Sequence, residues 1–291
     1  MSTNIDARRK TLYLREKSAV FAYSKDPRFC FCLYIPPKKA DAPPPGLVVA
    51  VHHSMRNFIQ CRDTFADLGE RHNQVVLAPL FPINVLGDGN PDGYKYLIEG
   101  DIRYDLVLNG MIEDALAMTD FDARQFCLFG YSGGGHFAHR YALVHPERVR
   151  AVSVCAPGQV TLLKADADWW VGVRDMQKLF GRALDLQALK KIPVQLAVGI
   201  EDLETWEIEH APGSQYWRAE SAASGANRVE RLRALQASFE AAGLSVQFDL
   251  MQGVMHLATP AMTLAQAFFG RHILKAQQAG LSRKQAKAVQ A

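Results

Sequence analysis

Gly130-Tyr131-Ser132-Gly133-Gly134-Gly135 is the stretch whose reading decides the fold. It follows the apolar run Phe126-Cys127-Leu128-Phe129 and precedes a helix-like run over residues 136–144. The order is strand, sharp turn, helix, with one serine at the tip. The glycines let strand and helix approach closely, and the turn forces the serine into a strained backbone conformation. A hydroxyl displayed in this way can attack a carbonyl carbon once a base takes its proton. A bare G-x-S-x-G match also describes an ordinary Gly-rich turn. The strand before it and the amphipathic run after it supply the context that the chemistry needs.

Outward from that turn, apolar runs alternate with helical patterns. Leu47-Val48-Val49-Ala50-Val51 is a continuous apolar run, the mark of a strand buried on both faces. Further strands are expected over 75–79, 125–129, 150–155, 193–198 and 246–250. Helices are expected over 58–72, 101–118, 133–144, 228–242 (stopped by Gly243) and 261–274. Such alternation predicts an α/β class with a mostly parallel central sheet covered on both faces. Residues 19–23 and 29–35 read as an antiparallel start to it. One domain over 1–291 is expected, with a small lid at 164–190 carrying Trp169 and Trp170. A disordered or helical tail follows from about residue 276, where Ser282-Arg283-Lys284-Gln285-Ala286-Lys287 is the most basic piece.

Composition narrows the partners. The 291 residues are 48% hydrophobic and 22% charged, enough apolar material for a sizeable core. A net charge of +3 with scattered basic residues argues against nucleic acid. No apolar run reaches the length of a membrane span, and the polar first ten residues lack a signal-peptide core. The five cysteines, Cys30, Cys32, Cys61, Cys127 and Cys155, have no zinc-like spacing and suggest a reducing, cytoplasmic setting. No Walker A motif, dinucleotide glycine pattern or metal cluster is present, so no cofactor and no metal are expected. An oligomer is possible.

A serine nucleophile needs a base and an orienter for the base. Asp202 follows the strand expected at 193–198, and His256 follows the strand expected at 246–250. The C-terminal ends of parallel strands share one edge, so Ser132, Asp202 and His256 would meet there. Glu201 and Glu204 share the acid's turn, and Asp166 and Asp168 follow the preceding strand, so each is an alternative carboxylate. His139, His145 and His272 sit on helical runs without a visible partner. His136, one turn after the serine, could line a pocket.

On these motifs, the turn around Ser132, the acid turn around Asp202 and the histidine loop around His256, the chain resembles an α/β-hydrolase over roughly 29–274. The order serine, acid, histidine is that of the family. The resemblance implies that Ser132 attacks an acyl carbon, His256 shuttles its proton, and Asp202 holds the imidazole in the correct tautomer. It also implies an oxyanion hole of backbone N–H groups, one from Gly133 and one from Ser54 or Met55. Family members usually have His-Gly where this chain has His52-His53. The expected activity is a serine esterase cleaving a carboxylic ester through an acyl-enzyme. Thioester, amide or carbon–carbon hydrolysis on the same residues, or a non-catalytic small-molecule receptor on this scaffold, are the alternatives. Loop aromatics suggest a small-molecule substrate with an apolar or aryl group. His53, Tyr131, His136, Trp169, Trp170 and Trp206 are the candidate pocket residues.

Overall fold

The computed structural model describes residues 12–14, 16–38 and 42–289. An eight-stranded sheet forms its centre. In chain order its strands are β1 (Lys17–Ala22), β2 (Cys30–Tyr34), β3 (Gly46–Val51), β4 (Gln74–Leu80), β7 (Phe126–Tyr131), β8 (Val149–Cys155), β9 (Val194–Gly199) and β10 (Val246–Met251). A separate antiparallel ribbon pairs β5 (Ile98–Glu99) with β6 (Ile102–Arg103). Across the sheet the order is β1-β2-β4-β3-β7-β8-β9-β10. The first two strands enter antiparallel, as the alternating pattern of the second predicts, and β3, β4, β7, β8, β9 and β10 run parallel to one another. The parallel block has the continuous apolar sequences that burial on both faces demands: every residue of β7 and β9 is buried.

The described α-helices are α1 (Phe58–His72), α2 (Gly93–Tyr96), α3 (Tyr104–Met118), α4 (Gly133–Val144), α5 (Met176–Phe180), α6 (Leu186–Leu189), α7 (Arg228–Ala241) and α8 (Ala258–Val289), and side-chain alternation explains how β7 holds two layers of them. Phe126 and Phe129 lie three residues apart and therefore point to opposite faces. Phe129 meets Phe65 of helix α1 (Phe58–His72) at 4.9 Å between ring centroids, and Phe65 in turn meets Phe269 of the closing helix α8 (Ala258–Val289). Phe126 instead packs on Tyr141 of helix α4 (Gly133–Val144) at 5.7 Å. Each fully buried aromatic of this kind contributes about 1.5–3 kcal/mol of transfer free energy. Helix α4 has all twelve of its residues buried, so the turn at its start sits on a rigid support.

Two boundaries differ from the pattern in the sequence. The helix expected from residue 101 begins at Tyr104, as helix α3 (Tyr104–Met118), because Gly100 (φ +55°) turns the β5–β6 ribbon ahead of it. The buried Glu99 carboxylate accepts from Tyr104 Oη and Asn90 Nδ2 and so fixes that ribbon to the start of α3. The closing helix starts earlier and runs further than its apolar spacing indicates, from Ala258 to Val289. No described helix is long and apolar enough to cross a membrane.

Candidate active site

Ser132 sits between β7 and α4 with φ 52° and ψ −115°, a left-handed backbone that a non-glycine residue adopts only under constraint. The constraint is visible. The Ser132 N–H donates to the Cys155 carbonyl of β8 at 2.8 Å. A Cβ on Gly130 would run into the Gly134 carbonyl, and one on Gly134 into the Val51 carbonyl of β3, so both positions require glycine. Gly133 is the first residue of α4, and its N–H therefore has no acceptor within the helix. The positive end of the helix dipole points to the same spot.

The three side chains expected to meet do come together. Ser132 Oγ lies 3.1 Å from His256 Nε2, and His256 Nδ1 lies 2.6 Å from Asp202 Oδ2. A carboxylate only accepts, so Nδ1 carries the proton and Nε2 is left free to accept from the serine hydroxyl. Asp202 follows β9 and is 1% exposed. None of the alternative carboxylates stands on the histidine: Glu204 accepts from Trp206 Nε1, and Asp168 is held by Arg174.

The other Asp202 oxygen has a partner that sequence reasoning missed. Arg228, the first residue of helix α7 (Arg228–Ala241), donates from Nη1 to Asp202 Oδ1 at 3.0 Å and from Nη2 to Glu207 Oε2 at 2.9 Å. Its side chain is 2% exposed. One carboxylate is thus gripped at both oxygens, by an imidazole and by a guanidinium. A polar residue at a helix start reads as solvated, so only the fold reveals this. Arg228→Met would leave Asp202 Oδ1 buried without a donor. The expected loss is about 3 kcal/mol of stability, read from the denaturant midpoint, together with reduced turnover. An unchanged midpoint would contradict the grip.

The loop after β3 carries His53 where the resemblance implied a glycine, and side-chain hydrogen bonds hold its path. His52 is fully buried; its Nδ1–H donates to the His53 carbonyl at 2.8 Å and its Nε2 accepts from the Phe81 N–H at 3.0 Å. Arg56, itself at φ 59°, donates to the carbonyls of Ser54, Phe81 and Pro91. These bonds set the loop path without a glycine. The Met55 N–H is already bonded to His53 Nδ1 at 3.3 Å, which favours Ser54 as the second donor opposite Gly133.

Three buried histidines around the site are locked neutral by backbone amides. His52 Nε2 accepts from Phe81, His136 Nε2 from Gly158 and Gln159, and His139 Nε2 from Thr161. Burial pulls His52 down to about 3, and holds His136 and His139 well below the ordinary histidine range. Below about pH 6.5 the unfolded chain takes up these protons and the folded chain does not. Their contribution is complete above that pH and is lost as pH falls, at about 1.4 kcal/mol per histidine per pH unit. Thermal denaturation between about pH 7 and 5 should show Tm falling steadily; a flat Tm would contradict neutral, buried imidazoles.

A cavity of about 550 Å³ opens over Ser132. His53, Tyr131, His136 and Trp206 line it, as do Ser54 and Met55. The Tyr131 ring packs 5.0 Å from the His256 ring. Trp169 and Trp170 do not line it, which corrects the lid expected at 164–190. They are buried on the far side of Tyr96: Trp170 meets Tyr96 at 5.2 Å and its Nε1–H donates to the Tyr216 carbonyl, while Trp169 Nε1–H donates to the Tyr96 carbonyl. No residue of 164–190 lines the cavity; instead its walls come mainly from segments 53–56, 91–96, 206–210 and 256–258. Lys95, Gln159 and His210 were not expected there. Among the described residues, no group of three or more His, Cys, Asp or Glu side chains could hold a metal ion.

Such an arrangement supplies a hydroxyl, a base aligned to accept its proton, a buried carboxylate behind the base, and free N–H groups at a helix start. No protein-family model matches the chain, and no curated protein matches it in sequence. Solved structures do. The LpqC poly(3-hydroxybutyrate) depolymerase from Bordetella parapertussis aligns with TM-score 0.69 at 22% identity, over 89% of this chain and 92% of that one. Poly(aspartic acid) hydrolase-1 from Sphingomonas sp. KT-1 aligns with TM-score 0.64 at 18% identity, over 82% and 92%. An S-formylglutathione hydrolase from Agrobacterium tumefaciens aligns with TM-score 0.58 at 16% identity, over 89% and 95%. With the strand order and the serine turn described above, these likenesses establish that the chain has the α/β-hydrolase fold.

Proposed function

We propose that the protein is a serine hydrolase that cleaves carboxylic esters through an acyl-enzyme. The observation that carries the reading is the continuous bonded line Ser132 Oγ–His256 Nε2, His256 Nδ1–Asp202 Oδ2 at the floor of an open cavity. Ser132 attacks the ester carbonyl while His256 takes its proton. The N–H groups of Gly133 and Ser54 hold the oxyanion. His256 then returns the proton to the leaving alkoxide, and a water, deprotonated by the same imidazole, releases the acid. The solved structures of similar fold are named as a depolymerase of poly(3-hydroxybutyrate), a poly(aspartic acid) hydrolase and an S-formylglutathione hydrolase, which supports hydrolysis in general.

Exposed apolar side chains at the cavity support a substrate with an apolar or aryl group. The five unpaired thiols support a reducing, cytoplasmic setting. A panel of chromogenic esters, thioesters and anilides tests the reading. Ester turnover should lead. A preference for anilides would speak against an esterase.

A further inference from the structure

We infer that the substrate is an uncharged ester with a long hydrocarbon chain, and that this chain leaves the cavity and lies across an apolar collar at its mouth. The collar is Met55, Ile83, Trp206 and Leu257. The inference rests on ester hydrolysis at Ser132 and adds to it where the rest of the substrate goes.

The four collar residues come from four separate loops, those after β3, β4, β9 and β10, all at the C-terminal edge of the sheet. Each lines the cavity, yet each is largely in solvent: Met55 is 75% exposed, Ile83 51%, Trp206 74% and Leu257 56%. The same edge carries Leu203 and Met255 beside the acid and the histidine, and both are also exposed. A cluster of bare large apolar side chains around one opening is uncommon on a soluble surface and marks a binding site. Trp206 makes the point individually. Its Nε1–H donates to Glu204 Oε2 at 2.7 Å, so the polar edge of the indole is satisfied and its faces stay bare. Trp169 and Trp170, by contrast, are buried in the core.

Charge pairing decides that the occupant is neutral. Of the three cations in the cavity wall, two are paired with carboxylates and the third has its N–H groups engaged by backbone carbonyls. Arg56 is spent on three carbonyls, Lys95 pairs with Asp92 at 2.5 Å, and Arg228 holds Asp202 and Glu207. A charged substrate group would lose its hydration and meet no cation with its donors free, since the Arg56 N–H groups are already held by carbonyls. A cavity of about 550 Å³ takes the ester and a short chain. A longer chain must cross the mouth, where the collar removes it from water. Full burial of a methylene is worth about fourfold in binding, so one-sided contact should give about twofold for each added methylene on the collar.

The test compares two graded ester series, one varying the acyl chain and one the alkyl chain, each from about four to twelve carbons and kept below its aggregation concentration. For one series, kcat/KM should rise on the order of tenfold or more from short to long. In the triple variant Ile83→Ser, Trp206→Ser, Leu257→Ser, the ratio of long to short should fall toward one. A ratio unchanged by the triple variant, or a gain seen only above the aggregation concentration, would overturn the inference. Binding supplies a readout that does not need catalysis. In the Ser132→Ala protein, a long-chain ester should shift tryptophan emission to the blue, and Trp206→Phe should abolish the shift. A blue shift without any ester turnover by the wild type would sink the esterase reading and keep the collar. Turnover without chain-length gain or blue shift would do the reverse.

Discussion

Replacing Ser132 with alanine should lower ester turnover by several decades, up to on the order of 10⁶ if serine, histidine and aspartate act as one unit. The size follows from the division of labour. Without Oγ no acyl-enzyme forms, and His256 has no proton to accept at 3.1 Å. What remains is binding and the N–H donors at the start of α4, which retain only a modest advantage over water. The fold should survive. Alanine keeps the Cβ that already tolerates φ 52°, and the backbone bond from residue 132 to the Cys155 carbonyl does not involve the side chain. Turnover within tenfold of wild type, in a protein with unchanged Tm, would remove Ser132 from the chemistry.

Asp202→Asn should cost about 10⁴ in kcat, and here the geometry allows no benign rotamer. An amide has one donor end and one acceptor end. If the –NH₂ faces His256, it donates to Nδ1, the imidazole proton moves to Nε2, and the serine loses its acceptor. If the –NH₂ faces Arg228, donor meets donor across 3.0 Å in a buried site. Either orientation also strips a buried guanidinium of half its counter-charge, leaving Glu207 alone. Stability should therefore fall together with activity, unlike in Ser132→Ala. A kcat loss below tenfold would mean that the carboxylate does not orient the base.

The parts of this arrangement that could be read from the sequence are those governed by local rules. Leu47 to Val51 and Phe126 to Phe129 are apolar without interruption, and only strands buried on both faces ask for that. Ser132 is marked by its glycines, because close approach of strand and helix excludes a Cβ at 130 and 134. Asp202 and His256 follow strands, and parallel topology carries strand ends to one edge.

The parts that stayed hidden depend on tertiary packing. Trp169 and Trp170 look the same in sequence whether they cover a core or a cavity; their indole N–H groups find carbonyls at Tyr96 and Tyr216, and that buries them. Arg228 and Arg231 would sit on the polar face of any amphipathic helix, yet both are buried because loop 202–210 folds over them and supplies acceptors. Lys95 and Tyr96 follow a Gly- and Pro-rich stretch whose path is fixed by tertiary contacts, from Arg56 to the Pro91 carbonyl, from Arg140 to the Lys95 carbonyl and from Trp169 to the Tyr96 carbonyl.

Fluorophosphonate labelling followed by peptide mapping tests the central claim most directly, since the reagent phosphonylates a serine only where a base activates it and N–H groups hold the new oxyanion. The account predicts a single adduct on Ser132, absent from the Ser132→Ala protein and formed at least a hundredfold more slowly, on the order of the general-base contribution, in His256→Ala. No adduct on the wild type, or an adduct on Ser132 whose rate ignores the loss of His256, would contradict it.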